Sequence, residues 1–390
     1  MVINMEIYPE VEQYMKTAKM KYIKNSQQFM TGLASATDKK YAYEVGNQLN
    51  ARAKGEPVSN DAFYKLKNKS LNGSLFISAA FDSGVFRHIG NLIIDKKDLF
   101  NGNVLDMCCD CGIVTCFMAK MYPHCHFVGI DKNQLAINNA VEFAQKQKLE
   151  NVEFKCMNVE DASALGKFNL VTSFRCLLDV TDKKTKKLPK FGEFEYVEKL
   201  YQQAFSDYSS QIAACINENG SLISVERYGA SYGWFGWLNA LNANGLCFDE
   251  NDCTIMFAKD ISSLKEYSVT VCSKNTNNLT PKDIYNIAMM RKYHPGKPAD
   301  GANARFALYQ QAVGEIRFTN VYKEDKLIHC FAFAKADGNK NMYFDACADS
   351  QKLKFYNDKK AESVNNEYEK TLKLFENAGN FTIKSNTITL

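Results

Sequence analysis

The stretch that decides the fold spans residues 103–131 and reads NVLDMCCDCGIVTCFMAKMYPHCHFVGID. Its apolar beginning, residues 104–107, predicts a buried strand, and a tight turn follows. Residues 112–121 predict a helix, and residues 127–130 predict a second buried strand that ends at Asp131. The stretch is therefore a strand–turn–helix–strand unit with an acid at the tip of each strand. Amide groups at the start of its helix are free to bind a ligand.

Two classes of ligand use this arrangement. A dinucleotide requires G-x-G-x-x-G, because its pyrophosphate lies against bare backbone. The turn here, residues 108–112, reads CCDCG and contains one glycine, and Asp110 would direct negative charge at a phosphate. S-adenosylmethionine (SAM) has no phosphate and carries a sulfonium and an ammonium, so acids around the turn are compatible with it. A nucleotide-free α/β domain is the alternative.

The stretch resembles motifs I and II of the class I SAM-dependent methyltransferases, whose usual turn is D-x-G-x-G-x-G. The resemblance makes Asp106 the acid of motif I and Gly112 its last glycine. Cys108 and Asp110 stand where the first two glycines are usual. The resemblance also implies that Asp131 holds the ribose hydroxyls of the cofactor.

Two later segments extend the resemblance. A short strand at residues 152–156 is followed by Asn158 and Val159, which resemble the adenine-reading motif III, and residues 168–174 resemble motif IV. The family usually has an acid where Asn158 and Asn169 stand. The cofactor-binding residues implied by the resemblance are Asp106, Cys108, Asp110, Gly112, Asp131, Lys132, Asn158, Val159 and Ser173.

The predicted fold is α/β, a doubly wound, seven-stranded, Rossmann-like methyltransferase sheet. A helix over residues 194–217 and a turn at Asn219-Gly220 lead to a fifth strand at residues 221–226. Strands at 253–259 and 267–273 have no helix between them, as in the antiparallel hairpin of this family. We expect three parts: an N-terminal helical segment (1–92), the SAM-binding domain (93–275) and a small α+β domain (276–390).

The two outer parts carry no recognised chemistry. The N-terminal segment resembles the helical lid of small-molecule methyltransferases, and a packing layer or a homodimer surface is the alternative. In the C-terminal part we predict helices at 281–291 and 361–377 and strands at 316–322, 327–334, 342–346 and 381–388.

Composition sets limits on the function. The chain has 390 residues, 46% hydrophobic and 24% charged, as in a soluble globular protein, and a net charge of +4 does not by itself predict nucleic-acid binding. We see neither a membrane-spanning run nor a signal peptide. Thirteen cysteines then predict reduced thiols in a cytoplasmic protein. Cys108 and Cys111 lack a matching second pair, so no metal site is predicted.

Residues after the fourth and fifth strands are expected to face the methyl acceptor. Glu226 is the best-placed acid or base, with a helix cap as the alternative role. Arg175 could pair with an anionic acceptor, and lysines at positions 183, 184, 186, 187 and 190 could attract one. The predicted catalytic residues are therefore Glu226 and Arg175. The predicted acceptor-binding residues are Arg175, Tyr228, Tyr232, Trp234 and Trp237, although the tryptophans are equally compatible with a core.

The sequence thus predicts methyl transfer from SAM to oxygen or nitrogen of a small molecule, with S-adenosylhomocysteine as product. No N/D-P-P-Y/F stretch follows the fourth strand, which argues against amino-methylation of adenine or glutamine by that route. The chain has no Pro-Cys pair, which argues against methylation of cytosine at C5 by a cysteine nucleophile. Two alternatives stay open. One is an RNA or protein methyltransferase that docks its substrate on the C-terminal domain, and the other is a degenerate SAM-binding protein without activity.

Overall fold

A computed structural model describes residues 6–390 apart from residues 55, 57, 190, 230, 262, 275–278, 293–297, 302 and 339. The chain forms two compact units. The first contains Met1–Asp182, Phe205–Gly229 and Ala240–Leu279, and the second contains Lys183–Ala204, Ala230–Asn239 and Thr280–Leu390. Lys190 of the predicted lysine group lies outside the described residues. The predicted boundaries at residues 92 and 275 divide the chain by function rather than by compactness, and they stay a prediction.

Helices precede the sheet in the first unit, as predicted for residues 1–92. They are α1 (Pro9–Thr17), α2 (Ser26–Ala36), α3 (Lys39–Ala53), α4 (Asn60–Lys67), α5 (Leu71–Phe81) and α6 (Ser83–Asp95). Side chains of Asn25, Asp38, Ser59 and Ser70 cap four of these helices by accepting a hydrogen bond from a backbone N–H three residues on.

The remaining elements of the first unit alternate strand and helix. Up to the fourth strand they are β1 (Asn103–Met107), α7 (Ile113–Met121), β2 (His126–Asp131), α8 (Gln134–Gln147), β3 (Val152–Cys156) and β4 (Phe168–Phe174). After it come α9 (Leu177–Val180), α10 (Asp182–Thr185), α11 (Phe194–Cys215), β5 (Ile216–Glu226), α12 (Tyr232–Ala243), β6 (Cys247–Lys259) and β7 (Leu264–Ser273). Helices α10, α11 and α12 have residues in the second unit.

The seven strands lie in the order β3-β2-β1-β4-β5-β7-β6, which confirms the predicted sheet. Strands β1 to β5 pair in parallel, and β7 is antiparallel to both β5 and β6. The carboxyl ends of β1, β2, β4 and β5 therefore meet at one edge of the sheet, where ligands bind in open α/β folds.

The predicted turn at Asn219-Gly220 is wrong as a boundary, because both residues lie inside β5. Phe168 of β4 pairs with Ile216, but Leu170 pairs with Ser221, so the extra residues of β5 form a bulge. The turn signal in the sequence therefore marks an interruption of the strand rather than its start.

The second unit is an α+β domain, as predicted. Its remaining elements are α13 (Pro281–Lys292), β8 (Ala299–Asp300), α14 (Asn303–Gln311), β9 (Ala312–Lys323), β10 (Lys326–Ala336), β11 (Lys340–Cys347), β12 (Gln351–Tyr356), α15 (Ala361–Ala378) and β13 (Thr382–Thr389). The sheet has the order β13-β9-β10-β11-β12-β8, with every pair antiparallel. Its two faces build separate cores with α14 and α15. The sequence analysis missed β8, α14 and β12.

Candidate functional site

The turn after β1 follows a left-handed path at the positions where the family usually has glycine. The backbone φ angles are 57° at Cys108, 49° at Asp110 and 75° at Gly112. Side chains disfavour this conformation, although Asp tolerates it better than most residues. Only Gly112 also lacks room for a side chain, because a Cβ there would lie 3.0 Å from the Cβ of Ala140 and the ring of Phe154.

Asp106, on β1 just before this turn, links β1 to α7 and β4 by hydrogen bonds. The residue is buried, and its carboxylate accepts hydrogen bonds from the hydroxyls of Thr115 on α7 (2.5 Å) and Thr172 on β4 (2.8 Å). Burial raises the pKa of Asp106 to about 6, although both hydroxyls act to lower it. Both carboxylate oxygens are engaged with protein groups, so Asp106 supports the turn from below.

Asp131 stands at the end of β2 beside the turn. Its Oδ2 accepts the backbone N–H of Asp110 at 3.1 Å, and its Oδ1 accepts the backbone N–H of Asn133 at 2.8 Å. Burial, followed by the charge of Asp110, raises the pKa of Asp131 to about 6. Each carboxylate oxygen can accept two hydrogen bonds, so both retain a free lone pair for a pair of hydroxyl groups.

Residues of the N-terminal helical segment contact the turn directly. The Nζ of Lys67 lies 2.6 Å from Oδ2 of Asp110, and the amide of Asn68 donates to Oδ1 of Asp110 at 2.8 Å. Asn139 of α8 donates in turn to the carbonyl of Asn68 at 3.0 Å. Lys67 is only 4% exposed. Sequence reasoning missed Lys67 and Asn68, because their partners lie more than forty positions away.

Two half-buried arginines occupy the edge of the sheet after β4 and β5. Arg175, which has a φ of 64°, forms an ion pair with Asp82, and its backbone N–H donates to the carbonyl of Val225 at 2.7 Å. Arg227 forms an ion pair with Asp179, which also accepts the hydroxyl of Tyr64 at 2.9 Å. The Nε–H of each arginine has no hydrogen-bond partner among the described residues.

Glu226 lies at the end of β5 and is 1% exposed. Its carboxyl group accepts the hydroxyl of Ser173 at 2.8 Å and the backbone N–H of Leu177, the first residue of α9, at 3.0 Å. Burial raises the pKa of Glu226 to about 8, against the lowering effect of these donors. Ser173 also contacts the hydroxyl of Tyr208 at 3.0 Å. These contacts are those of a carboxyl group that caps a helix inside the protein.

The remaining predicted residues divide between the two units. After β3, Asn158 is exposed and Val159 is half-buried, while Lys132 is exposed and pairs with Asp61 at 2.7 Å. Tyr228 follows β5 in the first unit, and its ring lies 5.3 Å from that of Phe205. Tyr232, Trp234 and Trp237 belong to the second unit and are buried.

The cysteine-rich character of the turn has a structural explanation in packing. All thirteen cysteines are free thiols, and Cys109, Cys111 and Cys116 are buried around the start of α7. Within the described part of the chain, His, Cys, Asp and Glu side chains form no group of three or more that could hold a metal ion.

None of the described helices combines the length and apolar character needed to cross a membrane.

Comparison with known proteins supports the interpretation of the sheet. Residues 100–224 match the family model described as "Methyltransferase domain". The putative methyltransferase 235L of Invertebrate iridescent virus 6 is 30% identical over 83 residues, which are 21% of this chain and 29% of that protein. The match thus spans less than a third of the length of this relative.

Solved methyltransferase structures resemble the chain more loosely. The N-methyltransferase NodS from Bradyrhizobium japonicum WM9 is 14% identical, with a TM-score of 0.34, over 48% of this chain and 84% of that one. The magnesium protoporphyrin IX methyltransferase ChlM from Synechocystis PCC 6803 is 13% identical, with a TM-score of 0.33, over 47% and 76%. Human N-acetylserotonin methyltransferase is 13% identical, with a TM-score of 0.38, over 64% and 71%.

The match over residues 100–224 and the strand order together identify a class I, Rossmann-like methyltransferase domain, most of which belongs to the first unit. The resemblance found in the sequence is thereby confirmed. The domain carries the altered turn and an N-terminal helical segment that contacts that turn through Lys67 and Asn68.

Proposed function

We propose that the protein transfers the methyl group of SAM to oxygen or nitrogen of a small molecule and releases S-adenosylhomocysteine. The observation that carries this proposal is Asp131, which stands at the tip of β2 with a free lone pair on each oxygen, next to the left-handed turn of residues 108–112. Two ribose hydroxyls match these two acceptors.

The charges around the turn favour SAM over a nucleotide. Asp106, Asp110 and Asp131 surround the turn, and their carboxylates would repel a phosphate. A ligand with a sulfonium and an ammonium gains from the same charges. Asn158 and Val159 follow the adjacent strand β3, so we assign them to the adenine.

The reaction requires little from the protein beyond placement. The acceptor atom forms a bond to the methyl carbon while the carbon–sulfur bond breaks. The electron pair of the broken bond stays on sulfur, which becomes a neutral thioether. Holding the acceptor in line at near-attack distance and excluding water supply most of the acceleration. A base is needed only for an acceptor that is protonated at the working pH.

The contacts of Glu226 and Arg175 favour positioning roles. Among the described residues, Glu226 accepts hydrogen bonds from Ser173, Ser224 and Leu177, so we infer that it orients these groups. Arg175 holds Asp82 of the N-terminal segment. Their predicted catalytic roles stay predictions, and the variants described in the Discussion distinguish the two roles.

A small acceptor fits the described edge of the sheet better than a folded macromolecule. Side chains of the N-terminal segment contact residues that follow β1 and β4 at Asp110, Arg175 and Asp179. The two Nε–H groups of Arg175 and Arg227 are buried donors without partners among the described residues, and an acceptor molecule with a carboxylate or phosphate would satisfy them. This supports an anionic small molecule.

Two measurements test the proposal. Calorimetric titration should show binding of SAM and of S-adenosylhomocysteine, and no binding of either would contradict it. A turnover screen with labelled SAM should then compare small anionic molecules, neutral molecules, tRNA and proteins. We expect transfer to anionic small molecules. SAM binding without transfer to any class would identify the degenerate alternative.

A macromolecular acceptor is the second candidate. The observation that favours it is the second unit, which has its own six-stranded sheet and cores and carries no assigned chemistry. Transfer of label to tRNA or protein in the same screen, with none to small molecules, would decide in its favour.

A further inference from the structure

The ion pair between Lys67 and Asp110 lies within the candidate cofactor site. Asp110 is the middle residue of the turn, and its backbone N–H contacts the carboxylate of Asp131, the proposed ribose ligand. A group that extends from a ribose bound at Asp131 towards β1 would therefore lie near the side chains of Lys67 and Asp110.

Both partners retain unused hydrogen-bonding capacity. The ammonium of Lys67 has three N–H donors and makes one hydrogen bond, at 2.6 Å to Asp110, among the described residues. Each oxygen of Asp110 accepts one bond, from Lys67 or from Asn68, and keeps a lone pair. The pair can thus bind one further carboxylate and one further ammonium without being broken.

A second carboxylate, that of Asp82, helps to keep Lys67 protonated. Burial acts to lower the pKa of Lys67, but the charges of Asp110 and Asp82 raise it above its ordinary value. Asp82 lies 3.8 Å from the ammonium, too far for a hydrogen bond. A buried lysine between two acids stays charged at neutral pH and can attract an anion.

We propose that Lys67 and Asp110 together bind the amino-acid end of SAM, Lys67 through the carboxylate of the cofactor and Asp110 through its ammonium. The inference rests on the proposed function and adds to it a basis for selecting SAM. The amino-acid end of SAM is a zwitterion with two opposite charges side by side, which match the lysine–aspartate pair. Lys67 belongs to the N-terminal helical segment, so this segment takes part in cofactor recognition.

Ligands that lack one part of the cofactor test this directly. Decarboxylated SAM lacks the carboxylate, and 5′-methylthioadenosine lacks the whole amino-acid end. We expect the wild-type protein to bind SAM at least about tenfold more tightly than decarboxylated SAM, because decarboxylated SAM lacks the carboxylate that Lys67 attracts. Without Lys67, this preference for SAM should be lost.

Lys67→Gln is the informative variant, and Lys69→Gln is its matched control. Lys69 lies two residues away and pairs with Glu44 at the surface, 2.7 Å apart. Lys67→Gln should weaken SAM at least about tenfold, or about 1.4 kcal/mol, while the affinities for decarboxylated SAM and methylthioadenosine stay within about twofold. Lys69→Gln should leave all three affinities unchanged.

The ligand series separates the possible failures. A wild-type protein that does not distinguish SAM from decarboxylated SAM overturns the inference, whatever the variants do. Equal loss of all three ligands in Lys67→Gln, with a lower melting temperature, shows that Lys67 is structural and overturns it as well. If the wild-type protein binds methylthioadenosine and SAM equally well, the proposed cofactor site survives and only the role of Lys67 is lost. Binding of none of the ligands overturns the proposed function itself.

Discussion

The carboxyl ends of β1 and β2 and those of β4 and β5 both carry half-buried charged residues, but the two pairs of strands present opposite hydrogen-bonding groups. After β1 and β2, Asp110 and Asp131 keep free lone pairs and offer acceptors. After β4 and β5, Arg175 and Arg227 keep one Nε–H each and offer donors. The part of the site after β1 and β2, the first half, therefore suits hydroxyl and ammonium groups. The part after β4 and β5, the second half, suits an anion.

The difference also concerns how each half is held. The first half rests mainly on local chain geometry, the left-handed turn and the two backbone amides on Asp131, and Lys67 and Asn68 are the distant partners of its Asp110. The second half rests on ion pairs with distant residues, since Asp82 lies 93 positions from Arg175. Substitutions in the first half should mainly change cofactor affinity, whereas substitutions in the second should also change stability.

Asp131→Ala should have the largest effect. The variant removes two hydrogen bonds to a charged acceptor from the ribose, so SAM affinity should fall at least about 100-fold, or about 2.7 kcal/mol. Calorimetric titration measures this, with Glu142→Ala, an exposed residue paired with Lys146 on α8, as the control. Unchanged affinity in Asp131→Ala would remove the basis for treating β1 and β2 as the cofactor half.

Arg175→Ala should come next, with a loss of about 2 kcal/mol in the free energy of unfolding. Asp82, whose side chain is 11% exposed, loses its main partner, and partial exposure of the pair reduces the cost below that of a fully buried one. Urea denaturation measures the change.

Arg175→Lys separates the two roles of the residue. Lysine can keep the ion pair with Asp82 but removes the Nε–H, so stability and SAM affinity should stay near the wild-type values. For an anionic acceptor found by the screen, kcat/KM should fall about tenfold. Full acceptor kinetics in Arg175→Lys would mean that Arg175 is purely structural and that the second half does not bind an anion.

Glu226→Gln should change the pH dependence of stability. The folded protein raises the pKa of Glu226 from 4.5 to about 8, so the proton stays on the folded chain while the unfolded chain loses it. Stability associated with Glu226 is therefore full below pH 4.5 and is lost as the pH rises towards 8, at up to about 1.4 kcal/mol per pH unit. Glutamine does not titrate.

Denaturation of both proteins at pH 5, 6 and 7 checks this expectation. The stability of the wild-type protein relative to Glu226→Gln should fall at each step. A constant difference would show that Glu226 is ionised in the folded protein. It would then be available as a base, and the second half would be more than a binding surface.

Much of the first half could be predicted from the sequence, because strand, turn and acid are encoded within residues 103–131. The sheet was implied by the resemblance to class I methyltransferases, to which the helix-free pair β6 and β7 contributed. Lys67, Asn68 and Asp82 could not be predicted, because their roles depend on how distant helices pack. In the second unit α14 was missed for a similar reason: it lies on the sheet and shows no clear polar face. In contrast, β12 alternates polar and apolar residues and could have been found.

The smallest expected effect concerns Cys108, the first non-glycine residue in the turn. A left-handed backbone costs a residue with a side chain about 1 kcal/mol, and glycine avoids this cost. Glycine also gives the unfolded chain more freedom, which offsets part of the gain. The matched control is Cys108→Ala, which removes the thiol and keeps the Cβ. We expect Cys108→Gly to be more stable than Cys108→Ala by up to about 1 kcal/mol in urea denaturation, with equal SAM affinities. If Cys108→Gly were the less stable of the two, the strain from the φ of 57° at this residue would be smaller than the conformational entropy that glycine loses on folding. The turn would then be held by its contacts with Asp131 and Lys67 rather than by its own chain geometry, and the two halves of the site would be built in the same way.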